Sequence, residues 1–266
     1  MSNARPTTQP LTLANINIER SKHLPGVISF LARLEADVVC LQELVADDLP
    51  ELVLSLGYAH HVYVPMALHA GDGVARPYGV GILSRNPILH SQSIPYAGFG
   101  SGKDLVDLSS ADTKVRTSRY VAVLATVALG DARFTIGNTH FPWTPDGSAS
   151  DHQRKACTRL IELFGNRSVV LCGDFNAPRG GEIFSRLASH WRDNVPESYT
   201  SSIDPKLHRA RPLTLMVDGV FSTGDYRVSN VVMHEGISDH RAISADIHLQ
   251  PIASEPAVAG AGDASA

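Results

Sequence analysis

Two short polar clusters abut apolar, strand-like runs, and their residue types are those of hydrolytic chemistry. Gly173-Asp174-Phe175-Asn176 directly follows the run 168–172, and Ser238-Asp239-His240 comes just before the run 242–249. A buried strand seldom ends in a carboxylate beside an amide, or in Asp-His, without partners, because a buried unpaired charge is costly. Converging at strand ends, two acids, an amide and an imidazole are what metal-assisted attack of water on a phosphate ester requires. Each also has a plainer fate. Asp174 and Asn176 could simply build the turn that Pro178 and Gly180-Gly181 announce. Asp239-His240 could cap the last strand, and a glutamate such as Glu43 at a strand end is commonly solvated. Against that, Gln42-Glu43 follows Val38-Val39-Cys40-Leu41 without a break, and Asp174 and Asn176 alternate about Phe175.

The elements that must position these groups are strand-rich. Strand-like runs recur at 11–18, 37–41, 79–83, 120–127, 133–139, 168–172, 215–221, 227–233 and 242–249. The run 120–127, rich in valine and alanine, suits a strand buried on both faces. Residues 25–34 and 151–164 carry apolar residues at helical spacing, the second from a Ser150/Asp151 cap, and 47–56 is a shorter helix candidate. The turns Leu129-Gly130-Asp131-Ala132 and Ser222-Thr223-Gly224-Asp225 predict hairpins joining 120–127 to 133–139 and 215–221 to 227–233. About nine strands in one sheet tend to curl or split. The expected fold is therefore α/β, with two mixed β-sheets packed face to face and helices outside. One domain is expected over residues 5–250, followed by a disordered tail over 251–266 rich in Ala, Gly, Ser and Pro.

Composition sets bounds on function. The 266 residues are 43% hydrophobic and 19% charged, with a net charge of −4. That balance suits a globular enzyme with a substantial core and gives no basic coat for non-specific nucleic-acid binding. No apolar run approaches a membrane span, and no basic-then-apolar leader pattern opens the chain. Cys40, Cys157 and Cys172 form no metal-ligand spacing, and their odd number favours a reducing compartment. A cytoplasmic protein without integral membrane association or an evident obligate protein partner is expected.

The polar strand-end residues, in order, are Leu13-Ala14-Asn15-Ile16-Asn17, Asp37–Glu43, Gly137-Asn138-Thr139-His140, Gly173–Asn176, Val217-Asp218 and Ser238-Asp239-His240, spread over residues 11–249. This series resembles the endonuclease/exonuclease/phosphatase superfamily of metal-dependent phosphoesterases. The resemblance implies a four-layered α/β sandwich, in keeping with the two sheets expected above. It also implies roles. Glu43 would be the principal metal ligand, with Asp239 and the amide of Asn15 nearby. Asp174 would orient or deprotonate water, and Asn176 would orient the phosphate. His240, steadied by Asp218, would contact the phosphate oxygens, with His140 a second imidazole there. Asn17 stands where many members carry an acid, and Met216-Val217-Asp218-Gly219 replaces an Arg-Ile-Asp-Tyr pattern.

With oxygen donors and no cysteine in the set, Mg²⁺ or Mn²⁺ is favoured over Zn²⁺. Substrate choice falls to the loops. Residues 95–118 carry Lys103, Lys114 and Arg116, and a second basic stretch spans 206–211. Most such cations are ordinary solvated residues; Arg119 is singled out as a phosphate contact and Trp143 as a wall of the site. The leading expectation is a phosphodiester substrate, nucleic acid first. A small phosphate ester or phospholipid headgroup stands as the alternative, and a catalytically silent binding module of the same fold as a further one.

Overall fold

The computed structural model describes residues 9–71, 73–209 and 213–250, so the expected tail over 251–266 and the last two residues of the basic stretch, Ala210 and Arg211, lie outside the described residues. Strands β1 (Leu11–Asn17), β2 (Val38–Val45), β3 (His60–His69), β4 (Arg76–Ser84), β11 (Tyr226–His234) and β12 (Ala242–Leu249) form one sheet in the order β11-β12-β1-β2-β4-β3. A second sheet runs β5-β6-β7-β8-β10-β9, from β5 (Ile88–Gly98), β6 (Arg119–Leu129), β7 (Ala132–His140), β8 (Val170–Asp174), β9 (Arg192–Asp193) and β10 (Asp218–Ser222). Both are mixed: β1 runs parallel to β2 and β7 parallel to β8, while the other pairs are antiparallel.

Strand alternation sends side chains to two different cores. Leu11, Leu13, Val38 and Cys40 enter the cluster shared with the second sheet. Ala14, Ile16, Val39 and Leu41 face outward and pack with α1 (Leu24–Leu34) and α2 (Leu49–Leu56) through Val27, Phe30, Leu31 and Leu52. This two-sided burial is why β1 and β2 read as nearly continuous apolar runs. On the far side α4 (Asp151–Phe164) and α5 (Glu182–Ala188) add Leu160, Phe164, Phe184 and Leu187 to the cluster containing the second sheet. The result is helix, sheet, sheet, helix, the four-layered sandwich expected. A short helix, α3 (Ala111–Thr117), capped by Ser110, lies between β5 and β6.

The inward parity of β1 continues past Leu13 to Asn15 and Asn17, so polar residues enter the inter-sheet space where the strand ends. There Gln42 Nε2 donates to Asn15 Oδ1 (2.8 Å) and Asn138 Oδ1 (2.6 Å), and Asn138 Nδ2 donates to the carbonyls of Leu41 and Gly81. This buried amide network forms the floor beneath the strand ends, with Asn15 Nδ2 and Gln42 Oε1 buried and left without a hydrogen-bond partner.

Three local expectations change. The β6–β7 hairpin forms, but residues 222–225 do not close one: β10 belongs to the second sheet and β11 to the first. Thr223 N bonds the Val169 carbonyl, and Tyr226, opening β11, accepts from Thr135 N at 2.9 Å and lies against Phe134 (ring centroids 6.4 Å). The turn residues thus serve a crossing between layers. Strands β3, β5 and β9 were not anticipated. β3 and β5 are edge strands, each with a proline at a register shift (Pro65, Pro95), and β5 is mostly exposed, so neither carries a clear apolar pattern. Of the expected loop 95–118, the start belongs to β5 and residues 111–117 to α3. Among the described residues no helix is long and apolar enough to cross a membrane.

Candidate active site

Strand register assembles the centre. His140 on β7, Asp174 on β8 and Asp218 on β10 are Cα partners across the second sheet, at the strand ends that face the end of β1. Asp174 is 1% exposed; its Oδ2 accepts from Asn17 Nδ2 at 3.0 Å across the two sheets, and its Oδ1 accepts from the Asn176 backbone N at 2.8 Å. His140 Nε2 and His240 Nε2 approach Asp174 Oδ2 at 3.5 and 3.8 Å. His240 Nδ1 donates to Asp218 Oδ2 at 2.7 Å. The turn at 174–176 is real, since Asn176 sits at φ 47° and its Nδ2 donates to the Phe141 carbonyl, yet its side chain also lines the cavity.

Glu43 reaches the same space by a different device. The β2–β4 register shifts between Leu41 and Leu44, and Glu43 within that bulge has φ 56°. A bulge re-aims a side chain that regular alternation would send elsewhere, and a non-glycine residue at positive φ is strained enough to need surrounding structure to hold it. Glu43 Oε2 is buried and accepts no hydrogen bond; Arg20 Nη1 lies 3.3 Å away.

A cavity of about 520 Å³ joins these groups. It is lined by Glu43, Asp239, Asp174, Asn176, His140, His240 and Trp143, all expected from the sequence. Three expected residues lie off it. Asp218 stands behind His240. Asn15 is one layer down, its oxygen already held by Gln42 and its Nδ2 unpartnered. Arg119 opens β6 and does not line the cavity. Glu19 and Arg20, which the sequence did not single out, also line it, as do Asn17 and, from the two basic stretches, Lys114, His208 and Arg209. Asn17-Ile18-Glu19-Arg20 continues straight from β1, but consecutive positive φ values at Glu19 (44°) and Arg20 (61°) turn the backbone in a way no residue type there signals.

The environment separates the two imidazoles. Burial works against charge on His240, but Asp218 and Asp174 outweigh it and hold the ring well above its ordinary pKa. Burial dominates at His140 and lowers it, despite Asp174 and Glu43. Burial raises Asp174, with Asp218 adding to the effect and the two histidines opposing it. At Glu43 burial is outweighed by Arg20, His140, Lys114 and His240, so the carboxylate falls below its usual range. Asp239 is raised by burial, with His240 opposing.

Among the described residues two groups of side chains could each present ligand atoms to a metal within 4.8 Å of one another: Asp174, Asp218 and His240, and Glu19, His23 and Asp239. In the first, His240 and Asp218 spend their facing atoms on each other. In the second, Glu19 already meets Lys22 (2.8 Å) and His23 (2.9 Å). The ionised Glu43 carboxylate, with a buried oxygen accepting no hydrogen bond and Asp239 on the same cavity, fits a hard, oxygen-seeking dication better than either.

Fold and site together define a two-sheet sandwich that gathers acids, amides and imidazoles at one edge, the architecture of a phosphoester-hydrolysing class. The Endonuclease/Exonuclease/phosphatase family profile matches residues 14–240, and the chain belongs to that family. No curated protein sequence matches it significantly. Solved structures share the fold at low identity. An endonuclease/exonuclease/phosphatase from Beutenbergia cavernae DSM 12333 has TM-score 0.73 at 17% identity, over 91% of this chain and 72% of that one. The human Nocturnin catalytic domain with bound sulfate has TM-score 0.64 at 17% identity, over 91% and 94%. Sphingomyelinase C from Streptomyces griseocarneus has TM-score 0.62 at 14% identity, over 90% and 99%.

Proposed function

We propose that this protein is a Mg²⁺- or Mn²⁺-dependent hydrolase of phosphodiester bonds, of nuclease type, in which water attacks phosphorus directly. The observation that carries this is the setting of Asp174: a buried carboxylate fixed by Asn17 Nδ2 and Asn176 N, with two imidazoles within 3.8 Å, on a cavity that also holds Glu43 and Asp239. Asp174 orients the attacking water and takes its proton. A carboxyl raised by burial is a better base than a solvated one. His240, charged and held by Asp218, meets the phosphoryl oxygens as negative charge grows there. His140, neutral, donates a hydrogen bond to the same group, and Asn176 orients it. Glu43 and Asp239 would hold the dication, with Asn15 supporting the ligand layer from below through Gln42. Once bound, such an ion neutralises phosphate charge and acidifies water. Three free, buried cysteines support a reducing, cytoplasmic setting.

A phospholipid headgroup is the second reading. Phe99 (77% exposed), Leu105 and Leu108 stand out on the loop that carries Leu108 to the cavity. The test uses bis(p-nitrophenyl) phosphate, its monoester, single- and double-stranded DNA and phosphatidylcholine vesicles, each with Mg²⁺ and with EDTA. Metal-dependent cleavage of the diester or DNA is expected, lowered about 10²-fold or more in kcat by Asp174→Asn or His240→Ala. Near-normal turnover by either variant would sink the site assignment. Cleavage of vesicles alone would favour the lipid substrate.

A further inference from the structure

Two cations on the cavity wall have no part in the chemistry assigned above. Lys114 projects from α3, and its Nζ lies 5.6 Å from the centroid of the Trp143 ring. Arg209, on the loop before β10, is exposed and lines the same cavity. Among the described residues no carboxylate forms an ion pair with either, in contrast to Arg20, which meets Glu43, and Arg179, which meets Asp193 at 2.8 Å. Both lie beside the centre rather than in it. Trp143 is three residues beyond His140, and His208, next to Arg209, has its ring 6.3 Å from that of His240.

The two charges also act on each other. Burial pushes the Lys114 ammonium below its ordinary pKa, and Arg20 and Arg209 push it further, against the pull of Glu43 and Asp174. Like charges converging on one partly enclosed space, with no acid of their own, are stabilised by an anion that enters between them. An ammonium over an indole and a guanidinium, which can grip a phosphate through two donors, suit a phosphate group carried by an organic scaffold.

We propose that Lys114 and Arg209, with Trp143 as the wall, form an anion subsite beside the reaction centre, so that the preferred phosphodiester carries a second phosphate. This rests on the phosphoesterase reading and narrows it: the second phosphate is either the neighbouring one of a nucleic-acid strand or the far end of a small bisphosphate. A simple diester such as bis(p-nitrophenyl) phosphate would leave the subsite empty and turn over poorly.

Two measurements test it. Binding of thymidine 5′-phosphate and thymidine 3′,5′-bisphosphate is compared by calorimetry for wild type, Lys114→Gln and Arg209→Gln, each checked for folding by thermal melt. Turnover is compared for thymidine 5′-(p-nitrophenyl phosphate) with and without a 3′-phosphate. The expected result is a preference of about tenfold or more for the doubly phosphorylated ligand in wild type, the scale of a charge-assisted contact, falling towards unity in both variants. Equal binding of the two nucleotides by wild type would overturn the subsite, as would a preference that survives in both variants. If neither ester is hydrolysed with Mg²⁺ but the binding preference holds and is lost in the variants, the reaction is wrong and the subsite stands. A further gain with an eight-residue oligothymidylate identifies a strand; a plateau at the bisphosphate identifies a small substrate.

Discussion

Asp174 and His240 were legible in the sequence because each interrupts an apolar run with a group that cannot be buried alone, and the structure supplies the partners: Asn17 and Asn176 for one, Asp218 for the other. Arg20 was not legible, because its arrival at the cavity depends on a left-handed backbone at Glu19 and Arg20 that neither residue type favours. Lys114 looked like any loop cation until α3 brought it over Trp143. The Asp218–His240 pair yields a prediction at this scale. Asp218 is the largest influence raising the His240 pKa, against burial. An imidazolium is present below its pKa and lost as pH rises through it, so a raised value keeps the charge to higher pH. Asp218→Asn removes that support and leaves Asp174 and Asp239 alone against burial, so the His240 pKa falls. The alkaline limb of the kcat profile should therefore move to lower pH, with activity recovered in part as the assay is acidified. An alkaline limb that stays in place would show that His240 charge is not what the rate requires.

At the scale of elements, turn chemistry proved ambiguous where layer membership was not. Leu129-Gly130-Asp131-Ala132 closes the β6–β7 hairpin, whereas Ser222-Thr223-Gly224-Asp225 carries the chain from one sheet to the other, held by Thr223 on Val169 and Tyr226 on Thr135. A local turn signal cannot distinguish these outcomes; the tertiary anchor decides. The start of α4 shows an element doing more than local capping. Ser150 Oγ accepts from Gln153 N and Gln153 Oε1 accepts from Ser150 N, a capping box. Gln153 is fully buried and its Nε2 also donates to the carbonyls of Pro142 (2.7 Å) and Asn176 (3.0 Å), so one side chain ties the helix to both loops that flank Asp174. Ser150→Ala should cost about 1 kcal/mol in urea unfolding and leave turnover unchanged. Gln153→Ala should cost about 2 kcal/mol, because two buried carbonyls lose a donor, and should also lower kcat as Asn176 and Trp143 loosen. Equal effects of the two substitutions on turnover would show that Gln153 only caps the helix.

Across the whole molecule the chemistry proposed above would be divided between the sheets. Glu43 on β2 and Asp239 before β12 belong to the first sheet, and His140, Asp174 and Asp218 to the second. The two halves meet through Asn17 to Asp174 and through His240, whose chain neighbour is Asp239 but whose hydrogen bond goes to Asp218. Metal binding and proton handling should therefore be separable by mutation, although both are needed for turnover. A ligand that binds only the folded state stabilises it in proportion to its saturation, by about 2.7 kcal/mol at a hundred times Kd. Mg²⁺ should raise the melting temperature of wild type and of Asp174→Asn alike, while Glu43→Gln, which loses one ligand charge, should show a much smaller rise at the same concentration. All three proteins can be melted with and without EDTA, so the comparison needs no turnover. If Asp174→Asn loses the Mg²⁺ shift and Glu43→Gln keeps it, the ion is held by the second sheet, and the division of labour between the layers is reversed.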